Sequence, residues 1–310
     1  MARRQLADSF KPPARNRRDD GRMTAPDFDA AAQFLASTGR VLDGRRFGRL
    51  FGTDGPEPVR DAVAAYRNLD GGFGHALEPD GRCPGSQPLA IALALATLDE
   101  AGAWDDDLVQ GACGWLERHA PAAGGAVAFD SSIEGWPHAP WWAPEAGQPP
   151  SISTTGLLAG ALHARRVGHP WLDRATELMW AMISELTATS PYDMRGVMYF
   201  LDRVPDRDRA VKAFGQCGPL ILDQGLVTLD PAAPGEIHTP LDFAPLPGSL
   251  ARRLFRPDVI EAHLDHLAAA QQDDGGWTFN WPAWSPAAAA DWRGSTTVDA
   301  LRLLRGNGRC

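Results

Sequence analysis

Lysine is nearly missing from this chain: in 310 residues only Lys11 and Lys212 occur. With so few side-chain amines, Schiff-base chemistry is not an expected activity. Cysteine is scarce as well. Cys83, Cys113, Cys217 and Cys310 are scattered without a Cys-x-x-Cys pair, which argues against disulfides and a structural zinc and for a reducing, cytoplasmic setting. The longest apolar run, Pro88 to Leu98, is shorter than the roughly 18 residues a membrane span needs, so no integral membrane segment is expected, although peripheral membrane contact stays open. There is no phosphate-binding glycine loop ahead of a helix, no nucleophile elbow and no His-Glu-x-x-His. No cofactor is expected.

Positive charge is also confined. The net charge is −9, yet the first 22 residues carry Arg3, Arg4, Lys11, Arg15, Arg17, Arg18 and Arg22 against Asp8, Asp19 and Asp20, leaving the rest near −13. Such a body repels nucleic acid, whose binding rests on phosphate neutralisation by Lys and Arg. Residues 1–23 read as a disordered basic N-terminal tail lacking the apolar core of a signal peptide, with Met23 as an alternative start. Residues 24–310 read as a single domain.

What the chain does have is a repeat. Asn68-Leu-Asp-Gly-Gly-Phe73, Ala122-Ala-Gly-Gly-Ala-Val127 and Gln272-Asp-Asp-Gly-Gly-Trp277 line up on their first glycines, Gly71, Gly124 and Gly275, at spacings of 53 and 151. The period is thus about 50 residues. Each turn closes an amphipathic helix candidate: Pro58 to Arg67, Leu108 to His119 and Val259 to Gln271. Irregular residues come next, then a Ser/Thr-marked start to a helix apolar nearly all round: Ser86 before Pro88, Ser153 before Gly156, and Ser295 before Val298. The spacing predicts outer and inner helices in alternation. Two weaker units fit at residues 171–201 and 206–229, giving five or six pairs. The fold class expected is all-α, an (α/α)5-6 toroid or barrel of repeated helix pairs with long loops at one mouth. An open superhelix is the competitor, but the long stretches Pro137 to Pro150 and Pro231 to Pro247 suit segments folded over a barrel mouth.

Gln272-Asp-Asp-Gly-Gly-Trp277 resembles the glutamine-tryptophan repeat of squalene cyclases, and with Ser295-Thr-Thr-Val-Asp-Ala-Leu301 it places the chain beside the terpenoid cyclase and protein prenyltransferase superfamily. That resemblance covers roughly residues 50–305 and implies that Gln271 or Gln272 ties off helix ends while Trp277 packs beneath its turn. The Asp-x-Asp-Asp acid motif of class II cyclases has no counterpart here. Trp104-Asp-Asp-Asp107 reads as a helix N-cap rather than a magnesium motif. Asp80 and Cys83 lie three apart, where the prenyltransferase zinc ligands are two apart.

Chemistry concentrates in Asp70-Gly-Gly-Phe73-Gly-His75-Ala-Leu-Glu78-Pro-Asp80-Gly-Arg82-Cys83. A carboxylate beside a histidine or arginine can be tuned as a general acid or base, so Glu78, Asp80 and His75 are the candidate catalytic residues. Arg82 and Phe73 are candidate substrate contacts; helix capping by the two carboxylates, with Arg82 as their ion-pair partner, is the alternative. The chain also holds 11 tryptophans. Phe129, Trp136, Trp141, Trp142, Trp281 and Trp284 fall in loops after the Gly-Gly turns and are candidates for lining a cavity, as are His238 and Asp242 in the loop Glu236 to Asp242. Aromatic faces suit an isoprenoid chain or a developing carbocation, and equally a sugar ring. His263 and His266 read as a solvated helix face.

The resulting expectation is an enzyme that binds a hydrophobic, isoprenoid small-molecule substrate and works by acid-base chemistry. The alternatives are a carbohydrate-active α/α barrel, a glycosidase or lyase acting on an oligosaccharide, and a non-catalytic lipid-binding or scaffold toroid.

Overall fold

Prolines in the first turn and short polar caps set where helices begin. The computed structural model describes residues 25–143 and 147–310; the basic tail at 1–23 lies outside them. Among the described residues there are thirteen α-helices, two short 3-10 turns and no strand. The helices are α1 (Phe28–Thr38), α2 (Val41–Phe51), α3 (Glu57–Ala64), α4 (Pro88–Glu100), α5 (Asp106–His119), α6 (Ile152–Ala164) and α7 (Pro170–Ser184). They continue as α8 (Pro191–Leu201), α9 (Arg207–Cys217), α10 (Leu220–Asp223), α11 (Pro240–Phe243), α12 (Pro257–Ala269) and α13 (Pro286–Gly306). Asp105 accepts the Leu108 N–H as the N-cap of α5, and Ser151, Ser190 and Ser285 do the same for α6, α8 and α13. No helix among these is long and apolar enough to cross a membrane.

The helices alternate in character as the repeat predicts. α5 buries one stripe (Leu108, Val109, Ala112, Trp115, Leu116), whereas α4 and α6 are buried almost all round, as expected of helices enclosed by others. The apolar set packs side by side: α4 on α6, α6 on α8, α8 on α11 and on the 3-10 turn Leu250–Leu254, and α13 on α2. The amphipathic set touches along α5, α7 and α9, and α1 packs against α13. Deep between α2, α4 and α13, the buried Arg46 pairs with Glu100 (2.5 Å) and Asp299 (2.7 Å).

The three Gly-Gly turns are built alike. Gly71, Gly124 and Gly275 share a φ of 89°, in the left-handed region that favours glycine. Asp70 and Asp274 each accept the N–H two residues on, from Gly72 and Gly276. The residue after the second glycine is tied to an inner helix: Ala126 N–H donates to Thr155 Oγ1 and Trp277 N–H to Thr297 Oγ1. Each first glycine also faces the next amphipathic helix, Gly71 against Gly111 of α5, Gly124 against Arg174 of α7, and Gly275 against Ala30 of α1. Thus α12, near the end of the chain, meets α1, near its beginning, through the same turn that joins consecutive units. Gln271 reinforces this junction, accepting the Asp27 N–H and donating to the Asp27 carbonyl, both at 2.8 Å.

Several expectations need correction. Helices α1 and α2 precede the recognised repeat and form a pair that no Gly-Gly turn announces. α13 begins at Pro286, well before the expected cap at Ser295, because Ser285, Pro286 and the alanines after it start the helix early. Ser295 to Thr297 therefore lie mid-helix, and Thr297 Oγ1 is satisfied by donating to the Arg293 carbonyl. The unit at 206–229 yields α9 and the one-turn α10 but no long inner helix. His263 is buried, with Nε2 3.2 Å from the Leu229 carbonyl, while His266 is exposed; the two do not share a solvated face.

Candidate functional site

A cavity of about 160 Å³ lies among the inner helices. One face of α4 lines it with Leu89, Ala92, Leu93 and Ala96, at the i, i+3, i+4, i+7 spacing that puts four side chains in one stripe. Leu157 of α6, Tyr199 of α8 and Trp292 of α13 complete the wall, and Glu78 sits at the rim. Apart from Glu78 and the two aromatic heteroatoms the lining is hydrocarbon.

The segment that delivers Glu78 is shaped by backbone constraint. His75 (φ 55°) and Ala76 (φ 60°) are consecutive non-glycine residues in the left-handed region, a conformation costing on the order of 1–3 kcal/mol per residue and concentrated at functional sites. The chain then buries Leu77 in the core and presents Glu78 to the cavity. A neighbouring loop holds the residues just beyond: Ala139 N–H donates to the Asp80 carbonyl (2.7 Å) and Arg82 N–H to the Pro137 carbonyl (2.9 Å). Gly81 has no side chain because the Trp142 ring lies where a Cβ would project.

Three indole N–H groups converge on Glu78-Pro79-Asp80. Trp292 donates to Asp80 Oδ1 (2.7 Å), Trp141 to Asp80 Oδ2 (2.8 Å) and Trp284 to the Pro79 carbonyl (3.4 Å). Both Asp80 oxygens are thereby occupied, and Trp281 stands edge-on to Trp292 at 5.1 Å. Glu78 Oε2 accepts the Asp80 N–H at 2.8 Å. Its other oxygen has no hydrogen-bond partner among the described residues and is not sealed by protein.

Burial lifts the Glu78 carboxyl well above the usual carboxylate range, and the negative charge of Asp80 lifts it further, against the opposing pull of the Asp80 N–H, Arg40 and Arg82. Burial also raises Asp80, but the two indole donors and Arg82 oppose it. Asp80 therefore ionises before Glu78, and Glu78 is the neutral member at the rim. Arg82 pairs with Asp291 (2.7 Å), while its Nη2 is buried without a partner. Arg40 donates to the Leu77 carbonyl (2.9 Å) and pairs with buried Asp43 (3.0 Å).

The structure thus brings Glu78, Asp80, Arg82, Trp141 and Trp284 together. Trp142 and Phe129 stack at 4.6 Å in a small apolar cluster over this segment. Others lie elsewhere. His75 is exposed, with Nε2 2.9 Å from Asn68 Oδ1 rather than beside Glu78. Phe73 is a core residue under the first Gly-Gly turn and does not line the cavity. Trp136 is exposed. His238 and Asp242 belong to a separate cluster in which His238 meets Tyr192 edge-on at 4.8 Å, Tyr192 donates to Glu236 (2.8 Å), and Asp242 caps Thr239. Burial lowers the His238 pKa there. Among the described residues no group of three or more His, Cys, Asp and Glu is placed to hold a metal ion.

Sequence reasoning misses Trp292, Tyr199 and Arg40. Trp292 is obscured by the expected helix start at Ser295, and Arg40 lies in the unannounced first pair. Asp80→Asn tests the indole clamp. An amide turns an N–H toward one indole N–H, so a loss of about 1–3 kcal/mol and a changed tryptophan emission spectrum are expected; unchanged melting and emission would refute the clamp.

Comparison with known proteins bears on the fold. No family model matches the chain, and no curated protein matches it. A crystal structure of a protein from Actinoplanes is similar, with a TM-score of 0.52 and 16% identity over 91% of this chain and 89% of that one. At that identity the likeness extends to the helical fold alone.

Proposed function

We propose that the helix pairs form a six-unit α/α toroid, that its central cavity binds a compact hydrophobic molecule of isoprenoid type, and that Glu78 acts on this ligand as a general acid. Ring closure is supported by the α12–α1 junction, which repeats the Gly-Gly contact of the internal junctions. The functional reading rests on one observation: a carboxyl group held neutral, with one oxygen free, at the rim of an otherwise apolar cavity. A carboxylic acid that keeps its proton near neutral pH can deliver it to a bound alkene or oxygen atom, and positioned general acids contribute typically ~10²–10⁴ in rate. Trp292 adds an aromatic wall on which positive charge can be stabilised.

Size refines the ligand class. Apolar cavities of about 150 Å³ hold a molecule such as benzene, so this one suits a short isoprenoid rather than a long polyprenyl chain. The sugar-cleaving reading asks for two carboxyls facing one another across a cleft. Here Asp80 comes two residues after Glu78 and both its oxygens are engaged by indoles, so that reading is less supported. In the test, Ala96→Phe fills the cavity without touching Glu78. Wild type is expected to carry an apolar ligand detectable by extraction and mass spectrometry, or to bind added short terpenoids, and the filled variant to lose that binding while staying folded. Equal binding by both proteins would refute the cavity as the site. Binding preserved in Glu78→Gln with no product formed by either protein would favour a non-catalytic carrier.

A further inference from the structure

The cavity carries a second polar group that the proposed chemistry does not use. Tyr199 lines the wall from α8, eight residues after that helix begins, while Glu78 and Trp292 lie at the opposite, rim end. On α4 the lining stripe runs from Leu89 at the rim to Ala96 at Tyr199's level, so the two ends are about 10 Å apart at 1.5 Å per helical residue. The Tyr199 ring is fixed on both faces. Gly160 of α6 gives it room, since a Cβ there would meet the ring at 2.6 Å, and the Arg203 guanidinium stacks 3.5 Å from its centroid. Its hydroxyl nevertheless has no hydrogen-bond partner among the described residues and is not sealed by protein. Burial raises its pKa, so it is a neutral phenol able to donate and accept.

An unpaired hydroxyl on a rigidly held ring at the end of an apolar cavity is a binding group that lacks its partner. We infer that Tyr199 anchors the far end of the ligand, which is a two-ended molecule: a compact apolar skeleton with one polar atom facing Glu78 and a second, a hydroxyl or carbonyl, facing Tyr199. This inference rests on the cavity being the ligand site. Leu89, Leu93 and Leu157 between the two ends then select for the skeleton, and Glu78 and Tyr199 select for its length.

The probes are octanol and the octanediol with a hydroxyl at each end, titrated calorimetrically against full-length wild type and Tyr199→Phe, which removes one oxygen and keeps the ring. The diol is expected to bind wild type about five- to tenfold more tightly than octanol, consistent with one added hydrogen bond. Tyr199→Phe should abolish that difference and leave octanol affinity unchanged. Equal affinity for the two probes in wild type, or a diol preference that survives Tyr199→Phe, overturns the role of Tyr199 while leaving the cavity reading intact. Failure of both probes to bind wild type overturns the cavity reading and this inference together.

Discussion

Gly275→Ala is expected to lower stability by about 3–5 kcal/mol, the sum of a left-handed conformation that alanine tolerates poorly and of overpacking. The new methyl group would overlap the Ala30 carbonyl at the junction of α12 with α1, and the backbone there holds φ at 89°. Gly225→Ala is the control. It shares a positive φ of 63° but has nothing near its missing side chain, so it should lose only about 1–2 kcal/mol. Denaturant unfolding of the two variants measures the comparison. If both lose the same amount, the contact between the ends of the chain is not tight, and the case for a closed ring fails.

Glu78→Gln is expected to abolish any proton-transfer activity and to change stability in an unusual direction. The folded-state pKa of Glu78 is raised, so over the range between the ordinary carboxylate value of about 4.3 and the folded value, the native chain holds a proton that the unfolded chain has released. Stability from this group is therefore fully present below about pH 4 and falls as the pH rises through the folded pKa, by about 1.4 kcal/mol for each unit of separation. Glutamine keeps the shape and still accepts the Asp80 N–H, but it never ionises. The variant should match wild type near pH 4 and exceed it at pH 8 in melting temperature. A variant less stable than wild type at pH 8 would show that Glu78 is ionised and paired instead.

Legibility in the sequence depends on the strength of local signals. The Gly-Gly turns are readable because a positive φ and an Asp two residues before the second glycine leave a residue-level trace, and α4 and α6 because an enclosed helix must be apolar on all sides. Pair α1 and α2 escapes recognition: Phe28 to Thr38 and Val41 to Phe51 end at single glycines, and α2 hides its inward-facing Arg46 and Asp43 behind a polar composition. The buried pairing of Arg46 with Glu100 and Asp299 joins residues as far as 253 apart in sequence, which no local pattern records. At the site, Glu78 and Asp80 can be singled out from their spacing. Their division of labour cannot, because it depends on two indoles arriving from residues 141 and 292 to occupy Asp80. His75 is misplaced by sequence for a related reason: a left-handed turn at residues 75 and 76 sends it outward to Asn68, and nothing in the sequence marks that turn.

The functional reading turns on the protonation state of one carboxyl group. Difference infrared spectroscopy between wild type and Glu78→Gln at pH 7 reads it directly. A protonated carboxylic acid band is expected in wild type, absent in the variant, and lost only as the pH is raised well above the carboxylate range. An ionised carboxylate band for Glu78 at pH 7, titrating near its ordinary value, would contradict it.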